Sequence, residues 1–223
     1  MAGCAERRTL WSAMTSTRPH VQDGYPIVAL VGSAGGLAAV ERVLQPLPDG
    51  LAAAVIVLLH LPPERASNLV EIISRACPLP VLEAADGLPL LPGQVIVVPP
   101  GRHLLVTPDG ETPTTALIVS GEYPPSRPSA DLLLATLATA AGPRAVAVIL
   151  SGGGHDGATG ATAVHVCGGT VYASDETSSN HYSMPLAAIH RDDAVDRILP
   201  LDEIAEALEQ LVLSRAGLSA RVG

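Results

Sequence analysis

The sequence contains no phenylalanine and no lysine, and its 223 residues include only one tryptophan. Almost half of the residues are nonetheless hydrophobic, so the core must be filled by alanine, valine, leucine and isoleucine. An aliphatic composition of this kind favours helices packed on a parallel sheet, whose strands are buried on both faces. A chain of this length can bury one sizeable core, and we therefore expect one domain.

Long apolar runs, clustered cysteines and clustered positive charge are also missing. The longest apolar run, Leu51 to Leu59, is less than half of the roughly 20 residues needed to cross a bilayer, so it predicts a buried strand and no membrane insertion. Three cysteines at wide, irregular spacing suggest neither a disulfide framework nor a zinc site, and they fit a reducing cytoplasm. A net charge of −9 with scattered arginines disfavours nucleic acid as a partner.

The two ends of the chain are expected to lie outside the core. The apolar stretch after Arg7 and Arg8 is too short for a secretory signal peptide. We expect residues 1–22 to form a flexible tail, residues 23–214 to form the domain and residues 215–223 to form a C-terminal tail.

Short β-rich runs alternate with helical patterns from Tyr25 onward, which is typical of βαβ units. Strands are predicted at 26–31, 51–59, 145–150 and 170–173. Helices are predicted at 37–44, 157–167 and 202–213, and two more begin after N-caps at Ser67 and Ser129, the second ending at 141. Turn-rich sequence between residues 80 and 120 predicts antiparallel hairpins built from the runs 95–98, 104–107 and 116–119. The predicted fold class is α/β: a doubly wound, mainly parallel sheet flanked by helices, with a small antiparallel hairpin insertion.

Three predicted strands end in residues that could perform chemistry. The first runs into a glycine-rich turn that contains Ser33, the second ends at His60, and the 145–150 strand leads to Asp156. Because ligands bind beyond the carboxyl ends of parallel strands, neighbouring strands would place a hydroxyl, an imidazole and a carboxylate on one rim. Such a set suits acyl transfer, in which His60 takes the proton of Ser33 and Asp156 orients the imidazole.

Each of these residues also has a plainer explanation. A glycine-rich turn after a strand can bind phosphate, although this one has neither the P-loop lysine nor the G-x-S-x-G pattern, because position 31 is Val. A single histidine at a strand end is commonly structural, and Asp156 before Gly157 is by default a helix N-cap. His155 could replace His60 as the base or bind a metal, but the other histidines have no metal-ligand spacing, so no metal is expected. The residues alone leave catalysis and phosphate binding open.

Several sequence segments are more specific than the spacing of the single residues above. They are VGSAGG (31–36) with VLQPLP (43–48), HLPP (60–63) with 67–75, VPPGRHL (98–104), RPSAD (127–131), LSGGGHDGA (150–158), and 184–185 with 187–189. In this order, over about residues 27 to 213, the chain resembles the protein-glutamate methylesterases of bacterial chemotaxis, the CheB family.

The resemblance implies roles for particular residues and a substrate. Ser33 would be the nucleophile, His60 the base and Asp156 the orienting carboxylate of a cytoplasmic enzyme that needs no cofactor. The substrates would be γ-methyl esters of glutamate on the cytoplasmic helices of methyl-accepting chemoreceptors, with deamidation of receptor glutamines as a related activity. By position alone, the backbone N–H groups of four residues are candidate oxyanion donors: Ala34, Gly152, Gly153 and Gly154.

The chain also departs from the family pattern. The family commonly has Met at the position of Gly153, on the oxyanion and substrate side of the site, and Gln at the position of Leu59, so turnover or substrate fit can differ. Well-known members carry an N-terminal phosphorylation-regulated receiver domain. The segment before Tyr25 is too short for one, so we expect a catalytic domain without phosphorylation control in this chain. Two rival functions stay open: a related esterase or amidase with another substrate, and a non-catalytic binding module.

Overall fold

The computed structural model describes residues 24–61, 68–110, 112–119 and 128–219, with side chains as far as residue 215. Nine strands lie in this part of the chain: β1 Ile27–Gly32, β2 Ala54–Leu59, β3 Val81–Glu83, β4 Gln94–Val97, β5 His103–Thr107, β6 Thr114–Ile118, β7 Ala145–Ile149, β8 Thr170–Ser174 and β9 Arg197–Leu199. Its six α-helices are α1 Gly36–Leu44, α2 Leu69–Ala76, α3 Ala130–Ala141, α4 Ala158–Val166, α5 Ser183–Ile189 and α6 Leu201–Ser219. The predicted tail 1–22 and the predicted N-cap Ser67 lie outside the described residues.

Seven strands form one sheet in the order β3-β4-β2-β1-β7-β8-β9, and all of their pairings are parallel. From β1 the chain passes to β2, then to β3 at the edge of the sheet and back to β4 between β3 and β2. After the β5–β6 hairpin and α3 it crosses to β7 on the other side of β1. Open α/β sheets bind their ligands beyond the carboxyl ends of the strands at such a reversal, which here are those of β1 and β7.

The register of the sheet brings the three predicted strand ends to one level. Gly32 at the end of β1 pairs with Leu59 at the end of β2. The N–H of His60 donates to the carbonyl of Gly32 at 3.1 Å, and the N–H of Ser33 donates to the carbonyl of Ser151 at 3.0 Å. The prediction that these strand ends are neighbours is therefore confirmed.

The alternation of side chains along the strands divides the core between two faces. Val28 and Leu30 of β1 pack toward α1, α2 and α6, whereas Ile27, Ala29 and Val31 pack toward α3, α4 and α5. In β2 the residues at 54, 56 and 58 belong to the same α3–α5 face. Continued by two residues in each strand, this alternation assigns Ser33 and His60 to the α3–α5 face of the sheet.

The antiparallel insertion is smaller than the sequence suggests. β5 and β6 form the predicted hairpin, but the antiparallel interpretation of 95–98 is wrong, because β4 pairs in parallel with both β2 and β3. Val95, Ile96 and Val97 are almost completely buried, as expected of a strand covered on both faces. The short strands β3 and β9 and the helix α5 were not predicted.

The other predicted strands and helices are present, with ends shifted by a few residues. Ser129 caps α3 as expected, since its hydroxyl accepts the N–H of Leu132 at 3.4 Å. Helix α6 runs to Ser219, so the predicted start of the C-terminal tail at residue 215 falls inside this helix. None of the helices in the described residues is long and apolar enough to span a bilayer.

Candidate active site

Ser33 lies in the turn that joins β1 to α1, here called the Ser33 turn (residues 32–36). The turn closes with a hydrogen bond from the N–H of Gly36 to the carbonyl of Ser33 at 2.8 Å. Gly35 has φ 72°, a left-handed conformation that glycine adopts without strain. A Cβ on Gly35 would lie 2.8 Å from the hydroxyl of Ser151, and one on Gly36 would lie 2.8 Å from the side chain of Leu59. The two glycines therefore let the turn pack directly against the ends of β2 and β7.

The Ser33 side chain is partly exposed at the rim of the sheet. Within the described residues its hydroxyl donates no hydrogen bond, and none links it to His60. Hydrogen bonds between catalytic groups are often long or poorly aligned before substrate binds, so the lack of this bond does not exclude Ser33 as a nucleophile with His60 as its base. A partly exposed serine at this position can be reached by an incoming carbonyl carbon.

His60 and Asp156 make the direct contact that the sequence predicts for a base and its orienting carboxylate. The Nε2 atom of His60 lies 2.8 Å from Oδ2 of Asp156, and each side chain is only 15% exposed. His155, the alternative base, is exposed, and it is His60 that bonds to Asp156. Because Asp156 engages Nε2, Nδ1 is the ring nitrogen of His60 left to accept a proton from Ser33.

The carboxylate of Asp156 is bound by the N-terminus of α3. Its Oδ2 also accepts the N–H of Ala130 at 2.8 Å, and its Oδ1 accepts the N–H of Asp131 at 2.9 Å and the hydroxyl of Ser129 at 3.1 Å. The unpaired N–H groups and the dipole at a helix N-terminus favour a negative charge there. Asp156 therefore has two hydrogen-bond donors on each carboxylate oxygen.

These contacts determine the charge state of Asp156. Burial acts to raise the pKa of this carboxyl, but the hydrogen bonds from His60, Asp131 and Ala130 and the charge of His60 outweigh it and hold the pKa below its ordinary value. At neutral pH the group is an ionised acceptor, which favours the proton of His60 on Nε2 and could stabilise an imidazolium at His60.

The four candidate oxyanion donors differ in their surroundings. The N–H of Gly152 donates to the carbonyl of His181 at 2.9 Å, so this donor is already engaged. Within the described residues, the N–H groups of Ala34, Gly153 and Gly154 make no hydrogen bond. The N–H of the residue after a serine nucleophile is a usual oxyanion donor, which favours Ala34.

Gly152 and Gly153 also differ in packing. A Cβ on Gly152 would lie 2.6 Å from Sδ of Met184 and 3.0 Å from Cβ of Ser33, whereas one on Gly153 would meet no atom within 4 Å. Gly152 is thus fixed by close contact with the Ser33 turn. Gly153 is exposed, and the space beside it is open.

Sequence reasoning missed several residues that build the site. The buried hydroxyl of Ser151 donates to the carbonyl of Ala34 at 2.9 Å and accepts the N–H of His181 at 3.0 Å, so it ties the Ser33 turn to the loop before α5. Ser129 was predicted only as a helix N-cap and Asp131 only as part of the RPSAD segment, with no sign that the start of α3 would bind Asp156. Among the described residues, no group of three or more His, Cys, Asp or Glu side chains is arranged to hold a metal ion.

Comparison with known proteins gives one consistent result. Residues 28–208 match a family model described as CheB methylesterase. The chain is 38% identical to a protein-glutamate methylesterase/protein-glutamine glutaminase of Moorella thermoacetica, over 90% of this chain and 47% of the relative. It is 37% identical to the protein-glutamate methylesterase FrzG of Myxococcus xanthus, over 84% of this chain and 55% of the relative. The chain spans about half the length of these curated relatives.

A solved structure agrees with the sequence comparisons. The crystal structure of the Thermotoga maritima CheB methylesterase catalytic domain superposes with a TM-score of 0.80 at 32% sequence identity, and the match covers 85% of this chain and 100% of that one.

Proposed function

Because the chain belongs to the CheB methylesterase family, we propose that it hydrolyses γ-methyl esters of glutamate side chains with Ser33 as its nucleophile. The observation that carries this proposal is the hydrogen bond between His60 and Asp156, at the same rim of the sheet as the partly exposed Ser33. The proposed substrates are the methylated cytoplasmic helices of chemoreceptors, in the cytoplasm. This choice follows the names of the relatives, which are protein-glutamate methylesterases.

In the first half of the reaction, Oγ of Ser33 attacks the ester carbonyl carbon and its proton moves to Nδ1 of His60. The N–H groups of Ala34 and of Gly153 or Gly154 would stabilise the negative charge on the carbonyl oxygen. His60 then gives the proton to the departing methoxide, so methanol leaves and an acyl ester remains on Ser33.

In the second half, a water molecule attacks the acyl ester while His60 takes its proton. The bond to Ser33 breaks, His60 returns the proton to Oγ, and the glutamate γ-carboxylate is released. Asp156 stabilises the imidazolium in both halves. A glutamine side chain can follow the same path with ammonia as the leaving group, so deamidation is the proposed second activity.

The test is methanol release from a methylated receptor fragment by the wild-type chain and by Ser33→Ala. We expect Ser33→Ala to lose at least about a thousand-fold in rate, because His60 and Asp156 have no hydroxyl to activate without it. Ser214→Ala is the matched control, since this exposed serine on α6 lies outside the site. Circular dichroism should show the same fold in all three proteins. Undiminished release by Ser33→Ala would overturn the assignment of the nucleophile.

Two further measurements separate the rival functions. A related esterase with another substrate would hydrolyse small generic esters faster than the methylated receptor fragment. A non-catalytic binding module would leave Ser33 unlabelled by a fluorophosphonate probe, whereas the proposed enzyme reacts with the probe at Ser33.

A further inference from the structure

Two aspartates at the N-termini of α3 and α4 each cap the other helix. Asp156 precedes α4 and accepts the N–H groups of Ala130 and Asp131 at the start of α3. In return, Oδ1 of Asp131 accepts the N–H of Gly157 at 2.9 Å and the N–H of Gly160 at 2.8 Å, at the start of α4. We call this arrangement, formed by the two carboxylates and these four N–H groups, the reciprocal cap.

Close packing of the two helices makes the reciprocal cap possible. A Cβ on Gly160 would lie 2.5 Å from Cβ of Leu134 and 3.1 Å from Cα of Asp131, and one on Gly157 would lie 3.3 Å from Cβ of Ala130. The helix starts can approach this closely because glycine occupies position 160 in α4 and position 157 immediately before it. Neither helix start can therefore shift without disturbing the carboxylate that caps the other.

Asp131 acts on the peptide group that immediately follows Asp156. The N–H of Gly157 belongs to the Asp156–Gly157 peptide, so the hydrogen bond from this N–H to Asp131 fixes the plane of that peptide. Gly157 has φ 99°, and without this bond the backbone at a glycine would have wide conformational freedom. The direction in which the Asp156 side chain leaves the backbone is thus set from the α3 side as well as from its own helix.

The start of α3 is itself anchored. Ser129 is completely buried, its hydroxyl donates to Oδ1 of Asp156, and its N–H donates to Nδ1 of the buried His103 in β5 at 3.1 Å. The antiparallel hairpin therefore supports the N-terminus of α3, which in turn holds Asp156.

We propose that Asp131 is a positioning residue for the reaction, which holds Asp156, and through it His60, in the geometry needed for proton transfer from Ser33. This inference rests on the proposed function. Asp131 bonds to neither Ser33 nor His60, and its effect passes through the Asp156–Gly157 peptide. Loss of its carboxylate leaves the N–H groups of Gly157 and Gly160 without their partner and lets Asp156 move relative to the imidazole. A displacement of about 1 Å in a catalytic group costs roughly 100-fold in rate.

The experiment compares Asp131→Ala and Asp131→Asn with the wild-type chain. The control is Asp196→Ala, because Oδ2 of Asp196 also accepts a backbone N–H, that of Val171 in β8, at 2.7 Å, away from the carboxyl ends of β1 and β2. Three quantities are measured: kcat and KM for the methyl ester, the rate of Ser33 labelling by a fluorophosphonate, and the proton NMR signal of the His60 N–H that is bonded to Asp156.

We expect Asp131→Ala to lower kcat roughly 100-fold with little change in KM, to slow labelling to a similar degree, and to shift or abolish the imidazole N–H signal. Asp131→Asn should recover most of the rate and the signal, because its amide oxygen can still accept both N–H groups. Asp196→Ala should lose thermal stability but keep the wild-type kcat and signal.

A wild-type kcat and an unshifted imidazole signal in Asp131→Ala would overturn the proposal. So would a fall in kcat for Asp196→Ala as large as that for Asp131→Ala, when the two variants lose the same amount of stability. If Asp131→Ala does not fold, Asp131→Ser replaces it. Its shorter hydroxyl can accept one N–H, so we expect a kcat lower than that of wild type but above one hundredth of it. A wild-type kcat in this variant would overturn the proposal. If the wild-type chain itself releases no methanol, the proposed function fails, while the labelling rate and the imidazole signal still decide the role of Asp131.

Discussion

Replacing Asp156 by asparagine preserves the shape of the side chain but turns one of its acceptor oxygens into a donor. Oδ2 accepts His60 and the N–H of Ala130, and Oδ1 accepts Ser129 and the N–H of Asp131. Whichever oxygen the new NH₂ group replaces, it faces a backbone N–H that cannot rotate away, that of Ala130 or that of Asp131. One buried donor left unsatisfied costs about 1–3 kcal/mol, which corresponds to a fall in Tm of about 2–12 °C for a chain of this length.

The same substitution should affect catalysis more strongly than stability. An NH₂ group facing His60 donates to Nε2, so the proton of the neutral imidazole must move to Nδ1, which then cannot accept the proton of Ser33. Trapping a catalytic histidine in the wrong tautomer lowers kcat by roughly ten thousand-fold in serine hydrolases. Asp156→Asn should therefore remain folded at neutral pH but be almost inactive in methanol release.

The pH dependence of stability gives an independent check. The pKa of Asp156 lies below its ordinary value, so its ionisation stabilises the fold above the unfolded aspartate pKa of about 3.9, and this contribution is lost as pH falls through the lower pKa of the folded state. Asparagine has no such ionisation. The stability difference between wild type and Asp156→Asn should therefore narrow as pH falls below about 4.

The assay is urea unfolding followed by circular dichroism between pH 7 and pH 3, with the exposed Asp109→Asn as control. Asp109→Asn should stay close to wild type throughout. A midpoint and kcat equal to those of wild type for Asp156→Asn at pH 7, or a stability deficit that stays constant down to pH 3, would contradict this prediction.

Two further predictions concern the residues around the Ser33 turn. Gly152→Ala should lower both Tm and kcat, because its Cβ would lie 2.6 Å from Sδ of Met184. Gly153→Ala should keep the wild-type Tm, because the space beside it is open. Equal melting curves for the two variants would contradict this. Ser151→Ala should lower stability in urea denaturation by about 1–3 kcal/mol, since it leaves the carbonyl of Ala34 without its hydroxyl partner; an unchanged midpoint would show that this bond is dispensable.

The parallel core could be predicted from sequence because its strands are long, apolar and followed by helical patterns. The edge strands could not, since β3 and β9 have three residues each and are largely exposed, so they lack a hydrophobic run. The run that became β4 was misread because Pro-Gly turns on both sides resemble a hairpin. Which strands are neighbours depends on pairing between distant residues, such as Ile27 with Ala145, and no local pattern records it.

The sequence predicted which residues come together at the site but not the groups that hold them. The resemblance named Ser33, His60 and Asp156, and the contact between the last two is present. By default, Asp156 should cap its own helix, but Gly157 occupies the N-cap of α4 and the carboxylate of Asp156 instead caps α3. The helix that receives it begins 26 residues earlier in the chain, so only the folded structure relates the two.

The central claim is that Ser33 carries the acyl group during turnover. The direct measurement is rapid acid quenching of the wild-type chain with a methylated receptor peptide, followed by proteolysis and mass spectrometry. We expect an adduct with the mass of the acyl peptide on the fragment that contains Ser33, formed at the rate at which methanol first appears. Methanol release at the full rate with Ser33 unmodified, or with the adduct on another residue, would contradict it.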